Sequence, residues 1–138
     1  MLALLSDLNK ISTIEAAQAN VPATAVQGTF VSPDGNAPAD KTEWAAAIWN
    51  ESTAANTWPP DVTATGNVTL LMGGYRAKTD QFDDATYVAG QALAVGTDGK
   101  LEAATVGTHQ VVAYALGAKE TGYSWKGSTY TVLEIWVP

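Results

Sequence analysis

The chain has 138 residues, no cysteine and a formal net charge of −7. The lack of cysteine excludes disulfides, thiolate metal sites and a cysteine nucleophile. Nucleic-acid binding needs clustered Lys and Arg, whereas the seven cations here are scattered and only Arg76 and Lys78 stand close together. Hydrophobic residues make up 46% of the chain, which is typical of a globular protein with its own core.

The first five residues are apolar, but we do not expect them to act as a signal peptide. No basic region precedes them, and Asp7 and Lys10 interrupt the apolar run. No stretch reaches the 18 or more apolar residues that a membrane helix needs. We therefore expect a soluble protein that is made in the cytosol and has no membrane partner.

Residues 1–25 are predicted to form a partly helical, partly extended arm. Ser12 to Glu15 resembles a capping box, and Pro22 ends any helix. The apolar residues fall at helical spacing, and they are Met1, Leu4, Leu5, Leu8 and Ile11. Such a stripe either folds back on its own domain or docks on a neighbouring subunit. We predict the second, with Leu4, Leu5, Leu8 and Ile11 as partner contacts.

Residues 26–65 are predicted to be irregular and carry three tryptophans, Trp44, Trp49 and Trp58. Trp44 to Trp49 fits a short helix, with a strand as the alternative, and the chain around Trp58 is expected to be extended. Indole side chains of this size need a surface to cover, on this chain or on another. All three are therefore predicted as further partner contacts.

Residues 66–138 are predicted to form the β-domain. Asp98-Gly99 is a strong two-residue hairpin signal. In the last strand, Tyr130 to Val137, side chains alternate so that Leu133, Ile135 and Val137 share one face. Gly122 to Gly127 is predicted as a turn. Short, evenly spaced strands favour a mainly β fold, either a small antiparallel β-barrel or a sandwich.

No pattern in the sequence predicts catalysis or a cofactor. The single histidine, His109, has no serine in a nucleophile-elbow context and no partners for a zinc site. The acidic cluster from Asp80 to Asp84 lacks the ligand spacing of a calcium loop and fits a solvated turn. We therefore expect no catalytic residue, no metal site and no enzyme activity.

The C-terminal third resembles a family of small β-rich virion proteins, the head decoration (cement) proteins of tailed phages. The residues that carry the resemblance are Tyr87-Val-Ala-Gly90, Gln91-Ala-Leu-Ala-Val95, Asp98-Gly-Lys-Leu101, Ala103-Ala104, Gly107, Val111-Val-Ala-Tyr-Ala115 and Leu133-Glu-Ile135. They lie within residues 87–137, and the N-terminal half carries no part of the resemblance.

The resemblance implies a non-enzymatic protein on the capsid exterior of a virion. Its partner would be the major capsid protein, whose neighbouring subunits it would bridge and stabilise, and it would form a homo-oligomer, with a trimer favoured. A receptor- or carbohydrate-binding module of a phage fibre or tail is the alternative. In that case Tyr123, Trp125 and Tyr130 would stack on sugars from one platform, whereas a decoration protein would bury its aromatic residues under subunit contacts.

Overall fold

The structure is a computed structural model that describes residues 1–50 and 66–138, so Trp58 lies outside the described residues. The fold is mainly β, as predicted, with two antiparallel sheets that do not close into a barrel. Its strands are β1 (Leu2–Leu4), β2 (Thr13–Ala17), β3 (Phe30–Val31), β4 (Ala46–Ile48), β5 (Asn67–Leu71), β6 (Tyr75–Thr79), β7 (Ala92–Val95), β8 (Leu101–Ala103), β9 (Ala113–Ala115), β10 (Glu120–Trp125) and β11 (Ser128–Val137).

The larger sheet has seven strands and the smaller sheet has four. The larger runs in the order β1-β6-β11-β9-β7-β8, with β10 paired to β11. The smaller runs in the order β2-β5-β4-β3. Every pairing between the named strands is antiparallel. Consecutive strands are often not neighbours, so residues distant in sequence are brought together in both sheets.

One hydrophobic core joins the two sheets. Phe30 and Leu71 of the smaller sheet belong to the same buried cluster as Leu93, Leu133 and Ile135 of the larger sheet. Alternate side chains of a strand point to opposite faces, and the other face of the smaller sheet is covered as well. There a second buried cluster joins its strands to Val21 and Ala25 of the preceding loop.

The predicted helical arm at the N-terminus is wrong. Leu2 and Leu4 pair with Thr79 and Ala77, so β1 is a strand of the larger sheet. The Thr79 hydroxyl donates a hydrogen bond of 2.9 Å to the Met1 carbonyl, and the Met1 amino group pairs with Asp80. The only helical turns between residues 1 and 25 are 3-10 turns of three residues each, Leu8–Lys10 and Gln18–Asn20. Strand pairing overrides the helical spacing of the leucines, because it buries the first residues completely and satisfies their backbone.

The strand alternative for Trp44 to Trp49 is the one observed. Ala46–Ile48 forms β4, which pairs with β3 and β5. The smaller sheet therefore takes β2, β3 and β4 from residues 1–50 and β5 from the start of residues 66–138. The domain boundaries at residues 25 and 65 stay a prediction, although pairs of hydrogen-bonded strands join residues on the two sides of each boundary.

Of the two turns predicted in residues 66–138, one is confirmed and the other is wrong in extent. The Asp98-Gly99 turn is confirmed, since β7 and β8 pair on either side of it. The turn predicted at Gly122 to Gly127 is wrong in extent, because Glu120–Trp125 is strand β10. Only Lys126 and Gly127 form the turn, with φ values of 47° and 82°. Positive φ at both positions is the geometry of a two-residue hairpin turn.

Candidate interaction surface

The alternation of side chains along β11 determines which of its residues lie on the outer face of the larger sheet. Leu133, Ile135 and Val137 point into the core, as predicted, so Glu134 and Trp136 point outward. Trp136 pairs with Arg76 of β6 on one side and with Tyr114 of β9 on the other. Directly paired residues project to the same face. The three side chains therefore form a row across the sheet.

Leu5 extends this row, and Leu116 lies in the row beside it. The Leu5 N–H donates a 2.9 Å hydrogen bond to the Arg76 carbonyl, which continues the pairing of β1 with β6. The Leu116 N–H donates a 2.9 Å hydrogen bond to the Glu134 carbonyl and continues the pairing of β9 with β11. We call the resulting group the outer patch, and its members are Leu5, Arg76, Tyr114, Leu116 and Trp136.

The outer patch is ordered but open to solvent. The rings of Tyr114 and Trp136 stack with their centroids 5.7 Å apart and their planes at 25°. Trp136 is 43% exposed, Leu5 47% and Leu116 38%. The Arg76 guanidinium pairs with the Glu134 carboxylate beside the indole. Both long side chains of this pair are thus held in place on the surface of the patch.

A second aromatic group lies on the hairpin of β10 and β11. Tyr123 pairs with Tyr130, and Trp125 lies two residues further along the same strand face. All three rings are partly exposed and pack against a small buried cluster formed by Met1, Ala3 and Val132. This hairpin therefore folds over the start of β1.

Two lysines cover the aromatic rings of the hairpin. The Lys78 ammonium lies 4.6 Å from the Tyr123 ring centroid, and the Lys126 ammonium lies 5.5 Å from that of Trp125. Both distances are within the range of cation–π attraction. The hydrogen bond from Lys78 to the Glu120 carboxylate, 2.5 Å long, raises the pKa of Lys78 above its ordinary value.

The leucine and isoleucine residues predicted as partner contacts are separated by the fold. Leu5 is exposed in the outer patch, and Leu8 is 38% exposed on the 3-10 turn that follows β1. Leu4 and Ile11 instead contribute to the chain's own core. The structure therefore brings none of the four into a single helical stripe.

The two described tryptophans of the predicted set, Trp44 and Trp49, are partly buried against the chain's own core. Trp44 also borders a shallow surface groove lined by Ser32, Pro33, Asp34 and Glu43. The Glu43 carboxylate accepts a 3.0 Å hydrogen bond from the Ser32 hydroxyl, so it holds the loop in place. Much of the surface that these two indoles cover therefore belongs to this chain itself.

Trp136, Tyr114 and Arg76 are the surface residues that the sequence analysis did not select. The signal for Trp136 was available, because the alternation of β11 places it opposite the core-facing Ile135 and Val137. Tyr114 and Arg76 carry no such signal. They join Trp136 only because β9 and β6 pair with β11, and those pairings connect distant parts of the chain.

The polar groups considered for catalysis have structural partners. The His109 Nδ1 accepts a 3.0 Å hydrogen bond from the Thr105 N–H. Tyr87 donates to the Asp83 carboxylate, and Lys119 donates a 2.6 Å hydrogen bond to Asp84 that lowers the pKa of that carboxyl. Within residues 1–50 and 66–138, no three His, Asp or Glu side chains are grouped so that they could hold a metal ion.

No helix in the described part of the chain is both long enough and apolar enough to cross a membrane. Comparison of the sequence with models of known protein families and with curated proteins finds no match.

Proposed function

We propose that the chain is a non-catalytic attachment protein that binds a partner protein through the outer patch. In line with the resemblance of residues 87–137, the partner is the exterior of a tailed-phage capsid, and the role is to decorate and stabilise it. The observation that carries the proposal is the half-exposed Trp136, held by stacking on Tyr114 in the outer patch.

The composition of the outer patch supports binding to a protein. Trp, Tyr and Arg are the residues that most often dominate the binding energy of protein interfaces. Here one of each lies in a single row, Leu5 extends that row beyond Arg76, and Leu116 lies in the neighbouring row, opposite Glu134. The stacked rings and the Arg76–Glu134 pair are already ordered, which lowers the entropic cost of binding.

Attachment to a repeating lattice also fits a patch of modest size. One patch of this kind makes a weak contact, because association costs offset much of the burial. A protein that engages several neighbouring subunits at once gains in overall affinity through effective concentration.

The test is binding of the purified chain to preassembled tailed-phage capsids, measured by co-sedimentation. A central tryptophan truncated to alanine costs about 2 kcal/mol or more at an interface, which is roughly 30-fold in Kd. We expect a loss of at least that size for Trp136→Ala. The control is Val106→Ala, because Val106 is 74% exposed but lies outside the outer patch. Equal binding of both variants, or no binding by the unaltered chain, would contradict the proposal.

Carbohydrate binding by the β10–β11 hairpin is the second candidate. Tyr123, Trp125 and Tyr130 share one face of that hairpin and are partly exposed, which favours a sugar platform. Against it, Lys78 and Lys126 cover two of the rings, and the same residues pack on Met1, Ala3 and Val132. A glycan array probed with the unaltered chain and with Trp125→Ala separates the two functions, since glycan binding lost in that variant would favour this candidate.

A further inference from the structure

The backbone of β2 exposes hydrogen-bonding groups along its outer edge. The Met72 N–H donates to the Ser12 carbonyl at 2.9 Å, and the Gln18 N–H donates to the Gly66 carbonyl at 3.0 Å. In an antiparallel pair, hydrogen-bonded positions alternate, so Ile14 and Ala16 are bonded to β5. The N–H and C=O groups of Thr13, Glu15 and Ala17 must point away from the sheet.

Three other edges of the two sheets, those of β3, β8 and β1, are covered by the chain itself. At the edge of β3, the Phe30 N–H donates to the Gly99 carbonyl at 2.9 Å. At the edge of β8, the Leu101 N–H donates to the Gln81 carbonyl, and the Asp83 N–H donates to the Leu101 carbonyl, both at 3.0 Å. The edge of β1 is approached by Gly28, where an added Cβ would lie 2.9 Å from the Met1 carbonyl oxygen.

The edge of β2 differs from these three. Thr13 and Glu15 are exposed, and within the described residues no backbone group is bonded to their outer side. Proteins usually protect such an edge with charged side chains, proline or a bulge. β2 reads Thr-Ile-Glu-Ala-Ala and pairs with β5 in unbroken register, so it has neither proline nor a bulge, and its one charged side chain is that of Glu15. Its open groups fit one kind of occupant, another extended backbone.

The registers in which β2 could pair with β2 of a second copy of this chain are limited to one. An ideal Cβ on Gly35 would lie 3.2 Å from the Ala17 carbonyl oxygen, so the loop at Gly35 covers that end of the edge. Setting Glu15 against the partner's Glu15 would oppose two like charges, which is unfavourable. Setting Thr13 against itself would place Glu15 opposite Ile11, whose N–H is already bonded to the Leu8 carbonyl.

We propose that β2 pairs antiparallel with β2 of a second copy about a twofold axis at Ile14. In this register Thr13 lies opposite the partner's Glu15 and Glu15 lies opposite the partner's Thr13. Four backbone hydrogen bonds form, and each threonine hydroxyl can donate to a carboxylate across the pair. The pairing is independent of the outer patch, and its twofold symmetry differs from the trimer that the resemblance implies.

Cysteine cross-linking tests the register directly, because the chain contains no cysteine of its own. Ile14 faces itself at a non-hydrogen-bonded position, where Cα atoms lie about 4.5 Å apart, within the range that a disulfide spans. Oxidised glutathione accepts the two electrons and two protons as two thiols of Ile14→Cys form the disulfide. We expect Ile14→Cys to cross-link at least tenfold faster than Glu15→Cys, which lies opposite Thr13. Equal rates for the two variants would overturn the proposal.

A proline variant tests the pairing without oxidation. The Glu15 N–H points away from β5, so Glu15→Pro removes an outer donor while leaving the backbone bonds to β5 in place. It also removes the carboxylate that accepts a 3.1 Å hydrogen bond from the Asn67 side chain of β5, a loss that the control Glu15→Thr shares. Light scattering of the unaltered chain should show a dimer that this variant loses, while its thermal unfolding midpoint stays close to the original. The control Glu15→Thr keeps the donor and should keep the dimer. A monomer at every concentration, a trimer, or a dimer that persists in Glu15→Pro would refute the pairing.

Discussion

Substitution of Gly99 by alanine should weaken the fold more than its position in a turn would suggest. Gly99 has a φ of +77°, and a Cβ there would lie 2.5 Å from Thr29 Cγ2 and 2.8 Å from the Phe30 carbonyl oxygen. The left-handed conformation costs an alanine about 1–2 kcal/mol. Overpacking against the backbone of Phe30 adds about 1–3 kcal/mol. We therefore expect Gly99→Ala to lower the free energy of unfolding by about 2–5 kcal/mol.

Gly90 provides the matched control for this prediction. Its φ is +81°, but nothing lies within 4 Å of an added Cβ. Gly90→Ala should thus cost only the conformational part, about 1–2 kcal/mol. In urea unfolding with an m-value of about 2 kcal/mol/M, the Gly99→Ala midpoint should fall about 1–2.5 M below that of the unaltered chain. Equal midpoints for the two variants would show that the hairpin tip does not press on β3.

Two further substitutions test the core. The Tyr75 hydroxyl is buried and has no hydrogen-bond partner among the described residues. Tyr75→Phe should therefore raise the free energy of unfolding at pH 7 by about 1 kcal/mol. A loss of stability in denaturant unfolding would contradict this prediction. Burial also raises the pKa of Tyr75. Its contribution to stability is therefore complete below pH 10 and is lost as the pH rises further. Between pH 9 and about 11, Tyr75→Phe should lose less stability than the unaltered chain. Leu2→Ala should lower the free energy of unfolding by about 2–5 kcal/mol because Leu2 is fully buried in β1. Leu5→Ala should change stability little, because Leu5 is exposed. A loss in Leu2→Ala as small as that in Leu5→Ala would show that β1 is not part of the core.

Features set by short stretches of sequence could be predicted. The Asp98-Gly99 turn depends on a glycine that takes positive φ directly after a polar residue, and the inward face of β11 depends on simple alternation. The N-terminal leucines show the limit, because their spacing fits a helix while β6 offers the strand partner that decides the outcome. β10 was missed for a related reason, since Gly122 and Gly127 indicate a turn when pairing with Tyr130 and Val132 is not known.

The candidate site was less predictable than the fold. The position of Trp136 on the outward side of β11 follows from the sequence, but its exposure depends on what lies beside it. Arg76 and Tyr114 come from strands on either side of β11, and only the sheet order reveals that they flank Trp136. Trp44 and Trp49 illustrate the reverse case, in which prominent indoles pack against their own core.

The position of β6 within the larger sheet also bears on how the chain folds. β6 pairs with Leu2–Leu4, far earlier in the sequence, and with the end of β11, far later. Such pairings cost loop-closure entropy before they gain contacts, and they slow folding. We expect the local hairpins to form first and β6 to be enclosed last. During synthesis on the ribosome, β1 and β6 would have to wait for β11 to emerge before the sheet could be completed.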